Sequence, residues 1–324
     1  MGESPNYSII IPHKNIPMLL RRCLASISQR DDLEVIVVDD NSDPNIVDFN
    51  SFSGKNRLDV TLIFDKKGGG AGRARNLGLD AARGKFVLFA DADDWFTPCF
   101  DQMLDKYANT TADIVFFNAV SMDSETYAAA RRVEHIKRVE HLNRYIALYK
   151  RNRQKGEAQL RYMFGEPWCK IVRKTVIDEH AIRFDEVPLH NDATFSYMVG
   201  FYARTALADE HAIYVVTYRK NSLRYLNDDK RRLARIDVFA KDERFRKDNC
   251  IKVKGGILNC HYREAGVILL ERKFSLFKRG IAIIRQYNPS LLSICVNIFT
   301  SMFCAAITLL SRVTREFGRI VFRL

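Results

Sequence analysis

Two short acidic clusters are the residues of this chain best suited to chemistry. The first is Asp39-Asp40-Asn41-Ser42 and the second is Asp91-Ala92-Asp93-Asp94-Trp95. Both follow apolar runs, so their five carboxylates together are expected to converge on one crevice. Like charges held that close are costly unless a cation neutralises them, and hard carboxylate oxygens suit Mg²⁺ or Mn²⁺. The competing reading is that Asp-Asn-Ser and Asp-Asp form turns and cap helices. It is weaker for Asp91, Asp93 and Asp94, because three carboxylates in four residues are more than a turn needs.

Between the clusters, residues 66–76 (Lys-Lys-Gly-Gly-Gly-Ala-Gly-Arg-Ala-Arg-Asn) read as a glycine-rich loop entering a helix. Backbone N–H groups and nearby cations there suit a phosphate. Arg75 stands where the dinucleotide fingerprint needs its third glycine, and no Gly-Lys-Ser/Thr follows, so neither common nucleotide motif is present. Turn flexibility is the other use of these glycines.

The elements that must position these groups alternate. Tyr7 to Ile11 reads as a buried strand stopped by Pro12, and Leu19, Leu20, Cys23, Leu24 and Ile27 recur at helical spacing after Pro17. Further strands are expected at Glu34 to Val38, Val60 to Phe64, Phe86 to Ala90 and Asp113 to Phe117. A helix from about Gly72 to Ala82, closed by Gly84, lies between the third strand and the fourth. Such alternation predicts an α/β fold with a mostly parallel sheet flanked by helices, in which ligands bind beyond the carboxyl ends of the strands.

Four segments then carry a resemblance to the family 2 glycosyltransferases of bacterial polysaccharide assembly, which have the GT-A fold. They are Ile9-Ile10-Ile11-Pro12-His13-Lys14-Asn15, Val37-Val38-Asp39-Asp40-Asn41-Ser42, Gly69 to Gly78 with its Ala74-Arg75-Asn76, and Phe89-Ala90-Asp91-Ala92-Asp93-Asp94. The resemblance implies a nucleotide-sugar donor, UDP-sugars being favoured. Asp40, next to Asp39, would bond the base, and Pro12 and Asn15 would shape the pocket floor. Asp91 would lie near the ribose, Asp93 and Asp94 would hold the metal, and Arg75 and Asn76 would support the donor site. Trp168-Cys169-Lys170-Ile171-Val172-Arg173-Lys174 resembles the family's W-x-K-x-x-R-K segment on the acceptor side. Asp192 is expected as the catalytic base, with an ordinary N-cap as its alternative role and His190 as a substitute base. Lys14 departs from the aromatic ring, and Asn191 from the Glu, that many members carry. With one base the expected reaction is a single inverting displacement, to which the second carboxylate of retaining glycosidases is unnecessary. Nucleotidyl transfer and a silent membrane adaptor are the alternative functions.

Composition sets the frame. The 324 residues are 47% apolar and 28% charged, which excludes a disordered or collagen-like chain. Residues 1–130 carry 13 Lys+Arg against 19 Asp+Glu, and residues 131–324 carry 38 against 20. The acidic part suits a cation site, and the basic part suits an anionic surface. No nucleic-acid motif appears, so nucleic acid is not an expected partner. Seven scattered cysteines form no C-x-x-C, and no signal peptide is read at the start, so reduced thiols in the cytoplasm are expected.

The expected domains are a GT-A domain over residues 1–230 and a basic helical region over 231–324. From Gln286 to Ser311 no residue is charged. Ser290, Ser293, Asn297, Ser301, Thr308 and Ser311, continued by Arg312, Arg315, Arg319 and Arg323, make a polar face, which favours a helix about 290–324 lying in a membrane interface over one that spans or packs. That would place the enzyme on the inner face of the cell membrane, near glycan or lipid-linked saccharide acceptors.

Overall fold

The computed structural model describes residues 4–49, 57, 59–129, 133–218, 228–253 and 260–303. The chain forms two compact units, Met1–Tyr225 and Leu226–Leu324. Unit 1 runs β1 (Tyr7–His13), α1 (Pro17–Ala25), β2 (Leu33–Asp39), β3 (Val60–Phe64), α2 (Ala71–Ala81), β4 (Phe86–Phe89), β5 (Trp95–Phe96), α3 (Phe100–Tyr107), β6 (Ile114–Asp123), α4 (Val133–Arg151), α5 (Arg153–Met163), β7 (Lys170–Arg173), α6 (Lys174–Glu179), α7 (Ala193–Tyr202) and β8 (Ala206–Tyr218).

Among the described residues the strands form one sheet in the order β3-β2-β1-β4-β7-β6-β8-β5. The expected mostly parallel sheet is found, with unbroken parallel pairing from β3 to β4. Beyond it β7 lies antiparallel to both β4 and β6, β8 runs parallel to β6, and β5 pairs antiparallel with β8, so the sheet is mixed. A parallel strand needs a crossover that returns the chain to its starting end. The path through α4 and α5 instead delivers β7 from the opposite end. The parallel half is what matters for the site, because β1, β2 and β4 all release their chains at the same edge.

Pro12 does not stop β1, as its sequence suggests, because the strand continues to His13. Its β4 partner ends opposite Ile10, so at Pro12 no ladder donor is required on that side, and the missing N–H costs nothing. Gly84 does not close α2 either. The helix ends at Ala81, and a Cβ at Gly84 would sit 2.6 Å from the backbone N of Ser8. That glycine is needed for close approach to β1, where the Ser8 hydroxyl donates to Glu34 (2.7 Å) and accepts from the Gly84 N–H (2.8 Å).

Unit 2 contains α8 (Asp229–Asp248), α9 (Cys260–Leu270), α10 (Phe274–Tyr287) and α11, residues 291–303. Leu233, Ile236, Tyr262, Ala265, Ile268, Leu276, Ile284, Ile294 and Ile298 make its core. The polar stripe of α11 is oriented differently from the expectation. Ser293 takes bonds from Asn288 and Asn297 (3.2 and 3.3 Å), the Ser301 hydroxyl is buried, and both lie beside the inward Ile294 and Ile298. The outward face is apolar, with Leu292 at 77% and Phe299 at 80% exposure. Thr308, Ser311, Arg312, Arg315, Arg319 and Arg323 lie outside the described residues.

One charge lies deep in unit 1. Lys170 on β7 is 2% exposed, and its ammonium donates to the Ser196 hydroxyl (3.0 Å) and the Phe164 carbonyl (3.2 Å). Burial lowers its pKa from 10.5 to about 7, although Glu166 and Asp192 oppose the shift. Below that value the folded state carries the cost of a desolvated cation. Between about 7 and 10.5 the unfolded chain binds more protons, so stability rises with pH. In paired urea titrations the wild type is expected to gain stability across this window relative to Lys170→Met. Parallel curves for the two proteins would contradict the assignment.

Candidate active site

The ends of β1 and β2 are zipped into one ledge. The Ile16 N–H donates to His13 Nε2 (3.2 Å), which leaves the ring proton on Nδ1, where it donates to Asp39 Oδ1 (2.9 Å). Ser42 adds its N–H (2.9 Å) and its hydroxyl (2.5 Å) to Asp39. Burial alone would raise the Asp39 pKa, but the bonds from His13 and Ser42 outweigh it and hold the carboxyl below its usual range. Each such bond to an ionised group contributes about 1.5–3 kcal/mol. Asn15, in the left-handed region at φ 56°, closes the ledge by accepting the Asp43 N–H (2.8 Å), while its own N–H donates to Ser42 (2.9 Å). Asp39 is thus occupied by protein groups and sets the shape of the ledge.

Asp40 faces the glycine-rich loop. It accepts the Gly70 N–H (2.8 Å) and the Lys14 ammonium (3.2 Å). Gly70 has φ 85°, which an L side chain rarely adopts, and a Cβ on Gly72 would lie 2.1 Å from the Asp185 carbonyl oxygen. These glycines therefore serve a turn and a close backbone approach. The N-terminus of α2 is presented to a carboxylate of the protein.

The second cluster lies at the end of β4. Asp91 accepts Arg75 Nη2 (2.6 Å), and its own N–H donates to the Tyr214 hydroxyl (2.8 Å). Asp94, expected beside Asp93 as a metal ligand, is instead buried and accepts the Thr217 N–H (2.6 Å). Burial, together with the charges of Asp93 and Asp91, pushes its carboxyl well above the ordinary range. Among the described residues no three His, Cys, Asp or Glu side chains form a closed metal cage. The donor set instead fits Mg²⁺ or Mn²⁺ held by one or two carboxylates and completed by substrate phosphates. Of the three carboxylates, Asp91 and Asp93 are the partly exposed pair.

Arg75 and Asn76 face protein more than an open cleft. Arg75 is buried, and while Nη2 holds Asp91, Nη1 donates to the Asn191 side-chain oxygen (2.8 Å). Asn76 exchanges two bonds with the Phe184 backbone (2.9 and 3.0 Å), so it fastens the segment leading to α7. Asp192 occupies the N-cap position of α7, but its side chain makes no capping bond. The ordinary N-cap role is thereby set aside. His190, at φ 56°, accepts the Ala193 N–H through its carbonyl (3.2 Å). The structure therefore joins Asp40, α2, Asp91 and the Asn191-Asp192 turn through hydrogen bonds.

Trp168, expected on the acceptor side, lies in the core. It is 3% exposed and stacks on Tyr214, with ring centres 6.0 Å apart. Tyr214, which no motif marks, is the group it supports, and the Tyr214 hydroxyl accepts the Asp91 N–H. Lys170 stands in the sequence only as part of a motif. No spacing signal marks either residue, since each meets the site only through the pairing of β7 and β8 with the sheet.

Comparison with known proteins identifies the family and the fold. The family described as Glycosyl transferase family 2 matches residues 8–181, more than half of the chain. Over 221 residues the chain is 29% identical to EpsH of Bacillus subtilis (strain 168), covering 63% of this chain and 58% of that protein. Over 94 residues it is 42% identical to the GalNAc(5)-diNAcBac-PP-undecaprenol beta-1,3-glucosyltransferase of Campylobacter jejuni, covering 28% of this chain and 30% of the relative. Staphylococcus aureus TarS, solved with UDP-GlcNAc, superposes with a TM-score of 0.57 at 17% identity over 91% of this chain and 79% of TarS. The mannosyltransferase PcManGT of Pyrobaculum calidifontis, solved with GDP-Man and Mn²⁺, gives 0.51 at 18% identity over 94% of this chain and 81% of that one. These structures show the fold, which is GT-A. The chain belongs to glycosyltransferase family 2.

Proposed function

We propose that this enzyme is an inverting, metal-dependent transferase that moves a sugar from a UDP-sugar to a hydroxyl of a lipid-linked glycan. The observation that carries the reading is the crowding of Asp91, Asp93 and Asp94 at the end of β4, hydrogen-bonded through Arg75 to the turn bearing Asp192. When bound, a divalent ion stabilises the negative charge that grows on the departing diphosphate. Asp93 holds that ion, and Asp91 lies at the ribose end of the donor. The ledge of Pro12, Asn15, Asp39 and Asp40 receives the base. Asp192 takes the proton from the acceptor hydroxyl as it attacks the anomeric carbon on the face opposite the diphosphate. A single displacement needs only this one base. UDP as carrier is in keeping with the UDP-GlcNAc in TarS, and a lipid-linked acceptor with the undecaprenol named for the Campylobacter relative.

Incubation of the full chain with nucleotide sugars and Mn²⁺ is expected to release nucleoside diphosphate, whereas pyrophosphate would indicate nucleotidyl transfer. Asp192→Asn is expected to keep donor affinity and to lose at least about a hundredfold in turnover. Undiminished turnover would remove Asp192 as the base, and loss confined to His190→Ala would move that role to His190.

Unit 2 supplies the reason to expect work at a membrane surface. Among the described residues no helix is long and apolar enough to cross a membrane. The outward face of α11, with Leu291, Leu292, Val296, Phe299 and Phe303, is nevertheless exposed. Residues 272–303 contain Arg272, Lys273, Lys278, Arg279 and Arg285 and no acidic residue. An apolar face in a segment whose charges are all basic matches an anionic leaflet, which here is the cytoplasmic one. Leu292→Glu with Phe299→Glu is expected to reduce co-sedimentation with phosphatidylglycerol vesicles. Unchanged sedimentation would contradict docking through this face.

A further inference from the structure

We infer that Arg22 is a positioning residue that fixes the main chain of Asp93, and with it the angle at which that carboxylate meets the cation and the donor diphosphate. The inference rests on the metal-dependent reading proposed above. Arg22 lies on α1, far in sequence from the acidic cluster. Its Nη2 donates to the Asp93 carbonyl at 2.6 Å, and the same guanidinium reaches the Ser124 carbonyl (3.1 Å) and hydroxyl (3.2 Å).

A second donor reaches the same carbonyl. The Thr217 hydroxyl, from β8, donates to it at 2.7 Å, while the Thr217 N–H holds the next residue's carboxyl. A carbonyl oxygen has two lone pairs, and here both are taken, one from α1 and one from β8. The peptide plane after Asp93 is held from two elements that share no backbone. One of the two bonds is charge-assisted, the stronger kind.

Arg22 is itself held in place. Its guanidinium lies 4.4 Å from the centre of the Trp95 ring and 5.8 Å from that of Tyr127. Trp95 immediately follows the acidic cluster, so helix, ring and turn make one assembly. This matters because the carboxylates at 91, 93 and 94 repel one another, and an unclamped turn would relax by rotating them apart. Arg22 grips main chain, whereas Arg75 grips a carboxylate. It therefore places a positive charge beside the cluster and takes no carboxylate oxygen from the cation.

The test is calorimetric titration of the full chain with UDP, once with Mn²⁺ and once with EDTA. Arg22→Met is expected to weaken Mn²⁺-supported binding about tenfold, as loss of an outer-shell partner does, and to leave binding in EDTA unchanged. Thr217→Val, which keeps the N–H bond to Asp94, is expected to show the same selective loss. Arg22→Lys, retaining the charge and one donor, should recover part of it. Equal Mn²⁺-supported affinity in wild type and Arg22→Met would overturn the role, as would an equal loss in EDTA, which marks general damage. If the wild type binds UDP no better with Mn²⁺ than without, the proposed function fails first and the inference falls with it.

Discussion

Mutual repulsion among Asp91, Asp93 and Asp94 is the constraint around which unit 1 is arranged. An apolar, fully buried strand delivers three acids within four residues to the sheet edge, and none can move far without breaking the strand's end. Each acid is dealt with differently. Asp91 is paired to Arg75, Asp94 is withdrawn into the core beneath Thr217 and Tyr214, and Asp93 has its main chain fixed. The arrangement keeps negative charge concentrated instead of dispersing it. That is costly in an idle protein and useful where a cation and a diphosphate must arrive together.

Helix α2 turns this local solution into a whole site. Its first turn is held by Asp40, its buried Arg75 spans from Asp91 to Asn191, and Asn76 secures the Phe184 backbone. The acidic strand ends and the start of α7 are thereby tied to one rigid element. The departure of Asn191 from the Glu common in the family has a defined consequence. Arg75 meets one carboxylate and one amide, so its charge is directed toward Asp91.

Much of this was legible in the sequence because period and position coincide. Short β-branched runs ending in acidic turns mark an open α/β sheet, and ligands in such sheets collect where the strands end. The motifs from Ile9 to Asp94 therefore identified the family and the parallel half of the sheet. Groups contributed by distant segments were not legible. Arg22, Tyr214 and Thr217 fall in no motif, and Lys170 reads only as part of one. Their roles depend on the antiparallel entry of β7 and on the length of β8, neither of which leaves a local pattern. Trp168 and Asp94 have residue types that suggest ligand contact, and both are buried. The polar stripe of α11 was visible, but its inward orientation follows from packing within unit 2.

The most direct measurement is electron paramagnetic resonance of Mn²⁺ titrated into the full chain with and without UDP. A cation site completed by phosphate oxygens should deplete the free-ion signal only when UDP is present, and Asp93→Asn should restore that signal. A free-ion signal undiminished by wild-type chain and UDP together would contradict the assignment of the β4 carboxylates to a divalent metal.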